Sequence, residues 1–199
     1  MVVPPPVIKA APHIADKSVP PSWIPKASPR PWEWVVVHHS ATVSGGAAKF
    51  DREHKQKGWD ELGYDFVIGN GTDTGDGQIE VGPRWVIQKW GAHAKTPDNR
   101  YNERGIGICL VGNFDYDYPT PAQMQSLVRL TTWLQKTYHI RTENIIGHND
   151  TKQTDCPGRN FSVANVRKRC AAIVAEEGIP LGSPVQAASG ELLRDVDQK

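Results

Sequence analysis

Hydrophobic and polar positions along this chain fall into blocks that switch between the period of a strand and the period of a helix. Residues 34–38, Trp-Val-Val-Val-His, are an apolar run too short for a helix and predict a strand. Residues 47–57 are charged and compatible with a helix that stops at Gly58. Residues 64–69 predict a second strand, followed by a Gly-rich turn over 70–77. Residues 78–81 read as a short strand, 85–90 as another, and 106–111 as a central one. Thr120-Pro121-Ala122-Gln123 has the form of a capping box with proline at the first helical position. It opens a helix to about residue 138, in which Met124, Leu127, Val128, Leu130, Thr131 and Leu134 form an apolar stripe. Residues 144–147 predict the last strand, and Val163, Val166, Cys170, Ile173 and Val174 recur at helical spacing. This alternation predicts an α/β fold: a single domain with a central mixed β-sheet flanked by helices.

A length of 199 residues allows one such domain plus tails. Pro4, Pro5, Pro6, Pro12, Pro20, Pro21, Pro25, Pro29 and Pro31 crowd the start. Proline blocks helix interiors and sheet pairing, so residues 1–31 read as an extended arm or linker, either packed on the domain or a disordered leader. Residues 32–180 are then the domain, and 181–199, small and polar, a loose tail.

Charge and cysteine usage narrow the function. A formal net charge of +1 offers no basic field for nucleic acid. No apolar run is long enough to span a bilayer as a helix. Met1-Val-Val-Pro-Pro-Pro has neither the charged n-region nor the apolar h-region of a signal peptide. Three widely spaced cysteines make no disulfide framework. Cys109 lies in an apolar run and reads as a small core residue, Cys170 lies on a helical pattern, and a bridge between them stays open.

The chemistry gathers in two histidines and a cysteine. His38 ends the first strand, His148 ends the last, and Cys156 follows eight residues later on a Pro-Gly turn. Two imidazoles and a thiolate make a three-ligand zinc site whose open position can hold a water for hydrolysis. The alternative is three unrelated polar residues. His39 complicates the reading: neighbours in a strand face opposite ways, so one of the pair is a ligand and the other is not. Spacing alone does not choose.

Five motifs occur in order: His38-His39-Ser40-Ala41, residues 63–68 (Gly-Tyr-Asp-Phe-Val-Ile), Gly91-Ala92-His93-Ala94, residues 105–114 (Gly-Ile-Gly-Ile-Cys-Leu-Val-Gly-Asn-Phe), and Gly147-His148 with residues 154–158 (Thr-Asp-Cys-Pro-Gly). From about residue 33 to 176 the chain closely resembles the type-2 N-acetylmuramoyl-L-alanine amidases, the superfamily of peptidoglycan recognition proteins and phage lysozyme-like amidases. The resemblance implies that fold and one zinc ion held by His38, His148 and Cys156. It also implies a catalytic Tyr64 near the metal. Thr154 stands where relatives carry Lys or Thr, as a donor to the oxyanion or simply a turn-stabilising hydroxyl. The implied activity is hydrolysis of the amide between N-acetylmuramic acid and L-alanine of the stem peptide. The implied partner is peptidoglycan or a muropeptide, met by a monomer that is secreted, periplasmic or otherwise faces the cell wall. Cytosolic relatives that recycle muropeptides carry Asp as third ligand and Glu in the strand matching 106–111; Cys156 and Cys109 here point instead to enzymes of the cell wall. That departure leaves no general base beyond the metal's own water, Tyr64 and Glu80. The competing class is a recognition module that binds without cutting, and a third is a structural zinc site closed by Asp150 or Asp155.

A groove is expected from the loops 93–102, 70–77 and 115–118. His93, Arg100, Tyr101 and Asn102 offer substrate-binding donors and a stacking face, and Trp59, Arg84, Trp85 and Trp90 are candidates for its walls, although tryptophan more often fills core. His13, His54 and His139 read as surface residues, and Arg167-Lys168-Arg169 as a solvated helix face.

Overall fold

The computed structural model describes residues 19–176. Its elements are β1 (Trp34–His39), α1 (Ala47–Gln56), β2 (Phe66–Ile68), β3 (Ile79–Val81), α2 (Pro83–Val86), α3 (Arg100–Glu103), β4 (Gly105–Leu110), α4 (Pro121–Tyr138), β5 (Ile145–Gly147) and α5 (Val163–Glu176). Single 3-10 turns occupy Pro21–Trp23, Thr142–Asn144 and His148–Asp150. The strands form one mixed sheet in the order β3-β2-β4-β1-β5. β2, β4, β1 and β5 run parallel, and β3 lies antiparallel to β2 at one edge.

Both sheet faces are covered, which is why the central strands read as continuous apolar runs. On one face Leu127, Leu130 and Leu134 of α4 and Val166 and Cys170 of α5 pack on Val35, Val37, Ile106, Ile108, Phe66 and Ile68. On the other, Phe50 of α1 and Leu62 cover Val67, Cys109 and Val111, while Ala94 packs on Val36 and Ile146. Strand alternation therefore gives Val35, Val37 and His39 to the α4/α5 face and Val36 and His38 to the opposite one.

The capping box forms as the sequence predicts. Thr120 Oγ1 accepts from Gln123 N–H at 3.0 Å, and Gln123 Oε1 accepts from Thr120 N–H at 3.1 Å. Gln123 also donates through Nε2 to the carbonyls of Ile68 and Val111, tying the start of α4 to β2 and to the residue after β4.

Some expectations are corrected. Residues 85–90 are not a strand: Gly82-Pro83 starts the short helix α2, with proline at its first position. This turn swings Trp85 into the core, where it is fully buried against Trp32, Phe66, Trp133 and Tyr138. Within the Pro-rich start, which the sequence leaves open between a packed arm and a disordered leader, Trp23 is buried in the core with its carbonyl accepting from Trp85 Nε1 at 2.6 Å, and Lys26 N–H donates to the Val86 carbonyl at 2.9 Å. Residues 1–18 and the tail 181–199 lie outside the described residues. Cys109, Cys156 and Cys170 are all free thiols. A Cys109–Cys170 bridge is ruled out by geometry, because the two occupy clusters on opposite faces of the sheet. No helix among the described residues is long and apolar enough to cross a membrane.

Candidate metal centre

Three local devices converge on the C-terminal edge of β1. β1 itself carries His38, paired in register with Cys109 of β4. β5 lies on the other side of β1 and ends at Gly147. There Gly147 N–H donates to the Asp150 carboxylate at 2.8 Å, closing the turn His148–Asp150 at the strand end. The His148 ring is thereby set beside that of His38, with centroids 4.4 Å apart. The chain then returns: Asn149 N–H donates to the Cys156 carbonyl at 2.8 Å, and Thr154 Oγ1 accepts from Cys156 N–H at 3.3 Å. Cys156 Sγ comes to 3.7 Å from His38 Nδ1.

One donor atom each from His38, His148 and Cys156 lies within 4.8 Å of the others. Tetrahedral zinc, with ligand bonds of about 2.0–2.3 Å, spaces its donors roughly 3.5 Å apart, so nitrogen, nitrogen and sulfur so placed fit that ion. His148 Nε2 is buried with no hydrogen-bond partner among the described residues, the kind of orphan a ligand satisfies. No fourth His, Cys or carboxylate joins the group among the described residues. Asp150 is taken up by Gly147 N–H, and Asp155 is exposed. Catalytic zinc sites take the form of three protein donors with a fourth position left open, whereas structural sites close all four.

The electrostatics agree with metal binding. Burial holds His38 well below the usual imidazole value, reinforced by His93 and His148. Burial lowers His148 to about 4, with Lys152 and His39 adding to it. Both rings are therefore neutral at pH 7, the state that ligates metal. Burial pushes the Cys156 thiol up to about 12; a divalent cation inverts that, since a coordinating thiol loses its proton outright. Burial, then the nearby Cys109 and Cys156 thiols, raises the Tyr64 hydroxyl well above its usual value, so Tyr64 stays protonated and can donate.

Among the expected site residues, Tyr64 packs its ring 5.3 Å from that of His38. Thr154 lines a cavity of about 510 Å³ with Asp115, Tyr116, Asn149 and Arg159. His39 faces the other way and accepts from Phe114 N–H at 3.1 Å, so of the adjacent pair it is His38 that stands with His148 and Cys156. His93 sits behind His38, 3.1 Å from it, rather than on an open wall. Asn102 is buried, its amide oxygen accepting from His93 and Ala94 N–H. Arg100 is exposed and paired with Asp98.

Trp85, expected in the groove, has no exposed surface and cannot touch substrate. Arg84 is likewise buried, donating to the carbonyls of Leu62 and Trp90 and pairing with Asp60. Trp59 and Trp90 are exposed. His54, expected at the surface, is buried beside Trp59 and accepts from Gly63 N–H at 3.0 Å. Glu80 caps α1 through Ala47 N–H at 3.0 Å. Sequence reasoning passed over Lys152, whose charge acts on His38, His148 and Cys156; its position in the loop between two ligands was the available signal.

Comparison with known proteins agrees with this geometry. The family model for N-acetylmuramoyl-L-alanine amidase (Amidase_2) matches residues 28–159. The endolysin of Enterobacteria phage T3 is 36% identical over 134 residues, covering 63% of this chain and 80% of the endolysin. A peptidoglycan-recognition protein of Drosophila simulans is 31% identical over 157 residues, covering 70% of this chain and 80% of that protein. The solved structure of the N-acetylmuramoyl-L-alanine amidase LysC from Clostridium intestinale URNW superposes with a TM-score of 0.59 at 34% identity, covering 74% of this chain and 86% of that one. The sheet, the converging ligand loops and these matches agree: the chain belongs to the N-acetylmuramoyl-L-alanine amidase family that also includes peptidoglycan recognition proteins and phage endolysins.

Proposed function

We propose that this protein is a zinc-dependent amidase that hydrolyses the amide between the lactyl group of N-acetylmuramic acid and the L-alanine of the peptidoglycan stem peptide. The observation that carries this reading is the cluster of His38, His148 and Cys156 donors within 4.8 Å, with no fourth protein ligand among the described residues. The phage endolysin and amidase relatives support it. When bound, one zinc ion supplies Lewis acidity, lowering the pKa of water at its open position from about 15.7 toward about 7 and polarising a carbonyl.

The side chains divide the remaining work. His38 and His148 offer neutral nitrogens, and Cys156 contributes one negative charge as thiolate. Tyr64 keeps its proton and donates to the carbonyl oxygen as that oxygen gains charge. Thr154 accepts from Cys156 N–H and so keeps its own hydroxyl proton for the same task. A water oxygen adds to the amide carbon, the C–N bond breaks, and the L-alanine nitrogen leaves with a proton. The substrate is peptidoglycan or a muropeptide, and the protein acts as a monomer facing the cell wall.

Mass spectrometry of peptidoglycan digested by zinc-loaded protein tests this. Released stem peptides should begin at a free L-alanine amine, with sugar–sugar bonds intact. Cys156→Ala should hold little zinc by elemental analysis and release no peptide. Hydrolysis by zinc-free protein, or cleavage of the glycan, refutes the mechanism; peptidoglycan binding without release by the zinc-loaded protein assigns it to recognition instead.

A further inference from the structure

His93 lies one ring behind the metal centre, and both of its nitrogens are engaged. Nε2 is 3.2 Å from the Gly105 carbonyl, and Nδ1 is 3.1 Å from His38 Nε2. A carbonyl oxygen only accepts, so His93 Nε2 must carry a hydrogen. In a neutral imidazole the other nitrogen is then a bare acceptor. His93 Nδ1 therefore bonds His38 only when His38 carries its hydrogen on Nε2. That leaves His38 Nδ1 with a free lone pair, and this nitrogen is the one 3.7 Å from Cys156 Sγ. The direction of both hydrogen bonds is thus set by a backbone carbonyl of β4 and ends at the ligand atom.

The surroundings hold the His93 ring in that one place. A Cβ on Gly91 would stand 2.3 Å from His93 Cδ2, and one on Gly107 would stand 2.5 Å from the same atom. Only glycine at both positions leaves room for the ring. Asn102 Oδ1 accepts from the N–H of His93 and of Ala94, each at 2.8 Å, and Asn102 Nδ2 is held by Asn99 Oδ1 at 2.8 Å.

We propose that His93 is a positioning residue rather than a substrate contact: it locks His38 into the tautomer whose Nδ1 faces the metal. This inference rests on the zinc reading above. An imidazole with no such partner divides between tautomers, and the form protonated on Nδ1 cannot ligate through that atom.

Two substitutions separate the bonds. In H93N the amide oxygen can take the place of Nδ1 and accept from His38. In H93Q the amide reaches the place of Nε2 and keeps only the Gly105 bond. Zinc affinity, read by competition with a chromogenic chelator, should fall about 10–100-fold in H93Q and much less in H93N. Thermal unfolding of the zinc-free proteins should stay close to wild type. Independently, ¹⁵N NMR of the zinc-free wild type should show His38 protonated on Nε2, and H93Q should show a mixture. Zinc bound by a folded H93Q as tightly as by wild type, or His38 protonated on Nδ1 in the wild type, overturns the proposal. A wild type that takes up no zinc sinks the metalloenzyme reading instead, and the zinc-free NMR spectrum still decides the tautomer.

Discussion

Asp65 offers a sharp test of how burial sets stability here. It is fully buried just before β2. Its Oδ2 accepts from Gly107 N–H at 2.8 Å, while Oδ1 is buried with no partner among the described residues. Burial raises its pKa from 3.8 to about 7, against the Gly107 hydrogen bond and the charges of Arg84 and Arg30. The folded-state pKa lies above the unfolded one, so the folded chain holds the proton more tightly. That contribution is fully present below about pH 3.8 and is lost as pH rises through about 7. Each pH unit over which only the folded chain keeps the proton is worth about 1.36 kcal/mol, so roughly 2 kcal/mol disappears between pH 5 and pH 7 and about 3 kcal/mol by pH 8.5. Asp65→Asn mimics the protonated side chain and should not lose it. Relative to wild type, the zinc-free variant should therefore gain about 3 kcal/mol between pH 5 and pH 8.5, a rise of about 6–12 °C in relative melting temperature. The buried histidines act in the opposite sense, losing stability as pH falls below their unfolded value, but they are common to both proteins and cancel. Calorimetry at the two pH values is the assay. An offset between variant and wild type that is the same at pH 5 and pH 8.5 would refute the reasoning.

Other outcomes follow from the site and its supports. Tyr64→Phe should keep its zinc and its fold but lower kcat by about 10²–10³, and an unchanged kcat in steady-state kinetics would remove Tyr64 from the mechanism. Gln123→Ala loses bonds to Thr120, Ile68 and Val111 and leaves the Val111 carbonyl short of a donor, while the Ile68 carbonyl keeps Val111 N–H; urea unfolding should show a loss of about 2–3 kcal/mol with an unchanged m-value. Free zinc at 100 times its Kd should stabilise the wild type by about 2.7 kcal/mol and Cys156→Ser hardly at all, which thermal shifts with and without chelator will measure.

Apart from the short helices α2 and α3, the order of strands and helices was legible in the amino-acid sequence, as were the capping box of α4 and the three candidate donors His38, His148 and Cys156. Each is written in contiguous residues or in a motif with its own chemistry: an apolar run, Thr120 three residues before Gln123, a histidine at a strand end. The sequence could also say that His38 and His39 face opposite ways, because that follows from strand alternation alone. It could not say which face holds the site, because that depends on where α4 and α5 pack. Trp85 shows the same limit. A surface tryptophan and a core tryptophan look alike in sequence, and only the turn at Gly82-Pro83 sends this one inward. His93 is the clearest case. It is 55 residues from His38 in the chain, and its role depends on hydrogen bonds to a backbone carbonyl and a second ring that meet only when β4 lies beside β1. The sequence by itself determined which side chains can ligate, cap and pack. Tertiary structure decided which of the adjacent histidines stands with His148 and Cys156 and which of its nitrogens lies nearest the Cys156 sulfur, because ring orientation is set by contacts between segments distant along the chain.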